Sequence, residues 1–318
     1  MDGAEQISRA AGIIKQGGVV AFPTETVYGL GTNAFNEKSV ARVFEVKKRP
    51  SFDPLIVHID NENWLTELVH RIPEKAKILI DAFWPGPLSI VLPKRSKVPD
   101  IVTAGLPGVA LRMPSNLVAL TLIREAGVPL AAPSANPFGA ISPTLASHVK
   151  EQLGEDIDMI LDGGPCSVGI ESTVISFLES EPVLLRAGGA ELEEIQKLIG
   201  KVKVASAMEH ISHSPGRCER HYSPSTPLTR LSDPKYIPTE LRAGLISVAP
   251  IEKKNLPPNI VSVEILSGSG DLREAACNLF AAMRRLDSSD LEVIYSLPLS
   301  NQGLGLAIND RLSRAAVR

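Results

Sequence analysis

Residues Val19 to Pro50 read VVAFPTETVYGLGTNAFNEKSVARVFEVKKRP, and the architecture of the chain can be worked outward from this stretch. Val19 to Phe22 is a short apolar run stopped by Pro23, so it predicts a buried strand that ends where Thr24, Glu25 and Thr26 begin. Polar strand ends are where α/β sheets usually carry chemistry. Gly29 and Gly31 predict a glycine-rich turn in which main chain can come close to a ligand. Asn36 then reads as an N-cap, Val40, Val43 and Phe44 share one helical face, and Pro50 stops the helix. Lys47, Lys48 and Arg49 crowd its last turn. Each complements the helix dipole, but three in succession exceed what capping needs.

The pattern continues as strand and helix in alternation to about Val204. Leu55 to Ile59 predicts a strand with Leu55, Val57 and Ile59 on one face and His58 on the other. An isolated strand histidine is more often a satisfied core residue than a catalyst. Val109 to Met113 predicts another strand, with Arg112 alone opposite an apolar face. There its guanidinium would project into a cleft and could hold an amino-acid carboxylate by two parallel hydrogen bonds; a partly buried structural ion pair is the competing reading. Ser134 and Asn136 follow the apolar run Pro129 to Ala132 and sit at another strand end, where a side-chain turn explains them equally well. Ser142 and Pro143 predict an N-cap and first helical residue, which would expose backbone N–H groups to phosphate. Ser172 and Thr173 open a strand of pattern TVIS, where hydroxyls also fit half-buried positions.

The blocks PTETVYGLG, KKRP, DPLIVHI, VALRMP, APSANPFG, GIESTVIS and LLRAGG, in this order from about Ile7 to Ile199, resemble the YrdC-like domain of threonylcarbamoyl-adenylate synthases. SPGRCERHYSP and the ending QGLGLAINDRLSRAA are similar to the longer, two-domain form of that family. The resemblance implies an α/β fold: a YrdC-like twisted mixed sheet with surrounding helices and an open cleft, followed by a smaller, Rossmann-like parallel-sheet domain. It implies that L-threonine, bicarbonate and ATP are joined into threonylcarbamoyl-AMP with release of pyrophosphate, for use by downstream tRNA-modifying transferase machinery. Thr26, His58, Arg112, Ala132 and Ser172 are implied at L-threonine. Lys47, Arg49, Asp53, Ser134, Asn136, Ser142, Arg186, His221 and Tyr222 are implied at ATP, with Lys47 and Arg49 also catalytic and Mg²⁺ accompanying the nucleotide. Arg217, Cys218 and Glu219 depart from the family pattern, which has Met, a basic residue and an aromatic there.

Composition narrows the function classes. With 318 residues the chain is expected to form about two domains. A formal net charge of -3 argues against a broad nucleic-acid surface, so no stable nucleic-acid binding is expected. Cys166, Cys218 and Cys277 are scattered, which suits a reducing compartment. MDGAEQISRA lacks a signal-peptide core and no apolar run reaches membrane-spanning length, so the expected location is cytoplasmic.

Residues 1–204 are read as the catalytic domain, 205–227 as a linker that could cover the active site, and 228–318 as a small α/β domain. The linker carries His221 and Tyr222, groups able to bond phosphate or stack on a base, which are expected to gain partners when nucleotide binds. His210, His213, Cys218 and His221 could supply tetrahedral ligands on paper, but the spacing is tight and Arg217 and Arg220 would oppose a dication. Ser267 to Gly270 before a helix lacks the endings of known phosphate loops and reads as a capped loop. Two alternatives stay open: an RNA-binding module using Lys47, Lys48, Arg49, Arg112 and Arg186, and a carbamoyl transferase acting on a preformed carbamoyl-adenylate.

Overall fold

The structure is a computed structural model that describes residues 3–205, 221–233, 236–252, 254 and 256–317. His210, His213 and Cys218, and most of the predicted linker, lie outside the described residues. Ten short strands form one mixed sheet: β1 (Val20–Phe22), β2 (Gly29–Asn33), β3 (Ile56–His58), β4 (Leu88–Pro93), β5 (Gly108–Arg112), β6 (Leu130–Ala131), β7 (Met159–Ile160), β8 (Thr173–Ser176), β9 (Val183–Arg186) and β10 (Lys203–Val204). Their spatial order is β10-β9-β8-β4-β5-β3-β6-β2-β1-β7. Strand β5 runs parallel to β3 with His58 opposite Arg112, whereas β4 runs antiparallel to β5. Since β8 is parallel to β4 and antiparallel to β9, the start of β8 and the ends of β3, β5 and β9 meet at one edge of the sheet.

Among the described residues, eight α-helices accompany this sheet: α1 (Gly3–Lys15), α2 (Glu37–Lys47), α3 (Leu65–Leu68), α4 (Glu74–Phe83), α5 (Asp100–Thr103), α6 (Leu117–Ala126), α7 (Ala146–Leu153) and α8 (Leu192–Ile199). The predicted helix after Asn36 is α2: the Asn36 side chain accepts from the Ser39 N–H, and Val40, Val43 and Phe44 are buried. At its end Lys48 takes a left-handed conformation, φ 52°, and is exposed, while Lys47 is buried. The alternation in Leu55 to Ile59 is also observed, with Leu55, Val57 and Ile59 in the main apolar core.

Two local expectations are corrected. Gly29 and Gly31 do not form a turn; they lie in β2, paired with Phe22 and Val20 of β1. A Cβ at Gly31 would come within 2.6 Å of the Phe22 ring, so the glycines make room for an aromatic side chain in the first place. Ser142 does not cap a helix, because α7 begins at Ala146 and the residue before it makes no side-chain cap.

The second sheet is all parallel, with β11 (Leu228–Arg230), β12 (Ala243–Ser247), β13 (Ile260–Ile265) and β14 (Val293–Ser296) in the order β11-β14-β12-β13. Helices α9 (Leu272–Asp287) and α10 (Leu304–Ala315) complete this unit. Leu272, Leu279, Phe280 and Met283 predict an amphipathic helix here, and in α9 the last three are fully buried while Leu272 is half-buried. The loop before α9 is a capped loop: Asp271 accepts from the Arg273 and Glu274 N–H groups. Apolar packing joins the two units, because Val27, Ile141, Ile170 and Tyr222 share one buried cluster with Phe280, Ile308 and Leu312.

Candidate active site

The shared sheet edge opens into a cleft with about 540 Å³ of empty space, including its mouth. Its lining includes Thr26, Arg49, His58, Arg112, Ala132, Ser134, Ser172, Arg186, His221 and Tyr222. Residues as far apart in sequence as Thr26 and Tyr222 are thus brought together by strand order. Lys47, Asp53, Asn136 and Ser142 stand one layer behind the wall. Lys47 Nζ donates to the backbone carbonyls of Ser134, at 2.7 Å, and Asn136. Asn136 in turn donates from its amide to Pro137 and Ala140 carbonyls. Asp53 pairs with Arg49 at 2.9 Å, and Arg49 also donates to the Asp53 and Pro54 carbonyls. The Ser142 hydroxyl donates to Glu171 at 2.5 Å. Lys48 faces solvent, so the five-cation surface of the RNA-binding alternative is not assembled in the cleft.

After Pro23 the chain is ordered by Thr24. Its hydroxyl donates to the Val27 carbonyl at 2.6 Å and accepts from the Thr26 and Val27 N–H groups. With that hydrogen committed, the 2.9 Å contact between the two threonine hydroxyls must be donated by Thr26. Thr26 therefore faces the cleft as an acceptor. His58 lies 3.3 Å through Nδ1 from the Ile56 carbonyl, which can only accept, so that nitrogen carries hydrogen. Burial, reinforced by Arg112, pushes the His58 pKa down to about 3 and leaves the ring neutral.

Arg112 is at the predicted place but does not project alone. Its Nη2 lies 2.8 Å from Glu25 Oε1 and its Nε donates to the Gly86 carbonyl at 3.2 Å. Neither Glu25 oxygen has a hydrogen-bond geometry of its own. Two of the three guanidinium nitrogens are thus engaged, and with five N–H donors in all, the Nη1 end of the group can still grip a carboxylate. The buried ion pair of the competing reading is thus present beside the cleft.

On the far side of the cleft, Arg186 donates from Nε and Nη2 to the Ser172 carbonyl at 3.1 and 3.0 Å, and from Nη2 to the Ser172 hydroxyl. Ser89 and Ser172 share a 2.8 Å hydroxyl contact. His221 and Tyr222 are packed within the fold. Tyr222 stacks on Phe280 at 5.5 Å, and His221 meets Phe138 edge-on at 6.0 Å. Only their polar tips, His221 Nδ1 and the Tyr222 hydroxyl, are buried without a hydrogen-bond partner. Tyr222 also has φ 61°, a strained conformation for a non-glycine residue.

Burial is the largest influence on the cationic groups around the cleft. Burial and then Arg49 hold the Lys47 ammonium well below its ordinary range, and burial followed by Arg49 and Lys47 does the same to His221. Burial lowers Arg186 as well. For these groups the neighbouring cations add to the desolvation penalty, the condition that a bound polyanion relieves. Among the described residues no group of three His, Cys, Asp or Glu side chains is placed to hold a metal ion. No helix among them is long and apolar enough to cross a membrane.

Because His58 and His221 are buried neutral, the unfolded chain binds more protons than the native one below pH about 6.5. Their contribution to stability is present above that pH and is lost as pH falls toward the depressed native values. Two such groups give a slope of up to about 3 kcal/mol per pH unit between roughly pH 6 and 4. Urea titrations at pH 7 and 5 should show this drop, and a His58→Gln, His221→Gln variant should flatten it. An unchanged slope in that variant would mean that other groups control acid stability.

Sequence reasoning assigned no role to Glu25, Glu171 or Arg311. All three stand inside the quoted motifs, and a charged residue within a hydroxyl-rich or apolar block was the available signal. Glu171 lines the cleft, and Arg311 reaches it from α10 with Nε 2.8 Å from Glu171 Oε2.

The family described as "Telomere recombination" (Sua5, YciO and YrdC) matches residues 12–188, and "Threonylcarbamoyl-AMP synthase, C-terminal domain" matches residues 190–317. A threonylcarbamoyl-AMP synthase of Pyrococcus abyssi is 43% identical, with 98% of this chain and 94% of the relative covered. One of Bacillus subtilis is 42% identical, covering 98% and 93%. The crystal structure of P. abyssi Sua5 complexed with L-threonine superposes with a TM-score of 0.90 at 40% identity, covering 98% of this chain and 94% of that one. Both halves of the molecule, the mixed sheet with its cleft and the docked parallel sheet, thus match as one continuous unit, and the chain belongs to the threonylcarbamoyl-AMP synthase family.

Proposed function

We propose that the protein is an L-threonylcarbamoyladenylate synthase, a nucleotidyltransferase that joins L-threonine, bicarbonate and ATP into threonylcarbamoyl-AMP and pyrophosphate. The observation that carries this reading is the pairing, in one cleft, of a small hydroxyl-lined pocket with a wall of buried cations. Thr26, His58, Ala132 and Ser172 form the first, with Arg112 beside them; Arg49 and Arg186 line the second, with Lys47 buried behind it. Support comes from the full-length relatives that bear this name and from the L-threonine bound by P. abyssi Sua5.

The chemistry follows in two balanced steps. The threonine amine, having lost its ammonium proton, takes up bicarbonate to give a carbamate and water. A carbamate oxygen then attacks the α-phosphorus of ATP, and pyrophosphate leaves with the electrons of the broken bond. No covalent nucleophile on the protein is required. Catalysis consists of holding the two reactants in line and neutralising charge that builds on the phosphates. Thr26, as an acceptor, suits the threonine hydroxyl hydrogen. His221 Nδ1 and the Tyr222 hydroxyl offer polar tips toward the nucleotide. With Glu25, Asp53 and Glu171 all paired to arginines, Mg²⁺ in this reading enters on the triphosphate, which is its usual habit. The product would pass to the transferase machinery that modifies tRNA.

The test is conversion of ATP to AMP and pyrophosphate with threonine or bicarbonate omitted in turn. Both should be required. Turnover that persists without them would instead favour the carbamoyl-transferase reading. Serine should replace threonine poorly, at roughly 10- to 200-fold lower kcat/KM, because one missing methyl is worth about 1–3 kcal/mol. Complete exclusion of serine would show that the pocket does not discriminate by fitting that methyl.

A further inference from the structure

Glu171 is out of place in an anion site. Its carboxylate lines the cleft beside Arg186, on the side where ATP phosphates are proposed to bind, and would repel them. Within the N-terminal unit it receives one hydrogen bond, from Ser142 at 2.5 Å. Its ion-pair partner comes from the other unit. Arg311 of α10 is fully buried, with Nε 2.8 Å from Glu171 Oε2. The same guanidinium donates from Nη1 to the Ala187 carbonyl at 2.8 Å and pairs with Asp310. Its plane lies over the Tyr222 ring, 5.2 Å from the centroid. Arg311 does not itself line the cleft.

We infer that Arg311 is a positioning residue through which the C-terminal unit makes the cleft competent for a triphosphate. It neutralises Glu171, so that this carboxylate can orient the Ser142 hydroxyl without opposing phosphate, and by packing over the Tyr222 ring it fixes that side chain at the cleft. The C-terminal unit supplies the one guanidinium that is ion-paired to Glu171 among the described residues. The inference rests on the reading of the cleft as an ATP site. It assigns to Arg311 an action through Glu171 and Tyr222, with no contact to substrate.

The experiment measures ATP and threonine binding by calorimetry on the full chain as wild type, Arg311→Met, Arg311→Lys, Glu171→Gln and the Glu171→Gln, Arg311→Met double variant, each checked for a native circular dichroism spectrum. Arg311→Met should weaken ATP binding by at least about tenfold, the equivalent of about 1.4 kcal/mol, and leave threonine binding within about twofold. Arg311→Lys should retain most of the ATP affinity. The double variant should bind ATP more tightly than Arg311→Met alone, because removing the unneutralised carboxylate removes the repulsion. A purely structural role would make the double variant as weak as, or weaker than, the single one, and that result would overturn the inference. Wild-type ATP affinity in folded Arg311→Met would overturn it too. Should Arg311→Met fail to fold, Glu171→Gln decides: it should bind ATP at least as tightly as wild type, and weaker binding would count against neutralisation. Absence of ATP binding in the wild type would instead overturn the nucleotide reading, and the inference with it.

Discussion

Arg112→Ala is expected to cost threonine binding roughly 2 to 5 kcal/mol, about 30- to several-thousand-fold in affinity, if the guanidinium meets the substrate carboxylate in the buried cleft. Because Arg112 is also the ion-pair partner of Glu25, the variant should lose stability as well. Removing one member of a buried pair strands the other charge and typically costs about 3 to 5 kcal/mol. The two effects separate in a Glu25→Gln, Arg112→Ala double variant, which should regain much of the stability but none of the threonine affinity. Urea denaturation and threonine calorimetry read them independently. Wild-type threonine affinity in the folded single variant would remove Arg112 from the substrate and leave it a structural residue.

The second large effect is expected at Arg186. It lines the cleft while holding the Ser172 carbonyl and hydroxyl. A preorganised donor aimed at developing phosphate charge is worth about 100- to 1,000-fold in kcat, and Arg186→Met should lose that much at saturating ATP. Threonine affinity should change far less, since Ser172 keeps its contact with Ser89. Pyrophosphate release and threonine titration on the same preparation measure the split. A kcat within threefold of wild type would place the charge neutralisation elsewhere, with Arg49 and Lys47 the remaining candidates.

Much of this was legible in the sequence because it is written in local patterns. Alternation placed Val57 inward and His58 on the opposite face, and the Asn36 cap with the following apolar face gave α2. The parallel second sheet followed from strands and helices in turn. What failed depended on contacts distant in sequence. Nothing near Gly31 says that the Phe22 ring will occupy the space of its missing Cβ, because that clash exists only once β1 and β2 pair. Ser142 has the local signature of a helix cap, yet its hydroxyl goes to Glu171 and α7 starts at Ala146. Arg112 read as isolated because its partner, Glu25, belongs to a loop brought to it by the sheet. Resemblance to a family named the residues around the cleft, but it gave no hint that Arg311 stands behind them.

The contact between Glu171 and Arg311 joins residues 140 positions apart. Closing a loop of that length costs entropy that the pair must offset, as must the almost equally distant pairing of Val20 with Met159 in the mixed sheet. With α10 undocked, Glu171 would lack its hydrogen-bonded arginine and the Tyr222 ring would lose the guanidinium packed over it. A chain in that state would therefore be poor at capturing nucleotide, so the docking of one C-terminal helix is felt at a cleft built from the other end of the sequence.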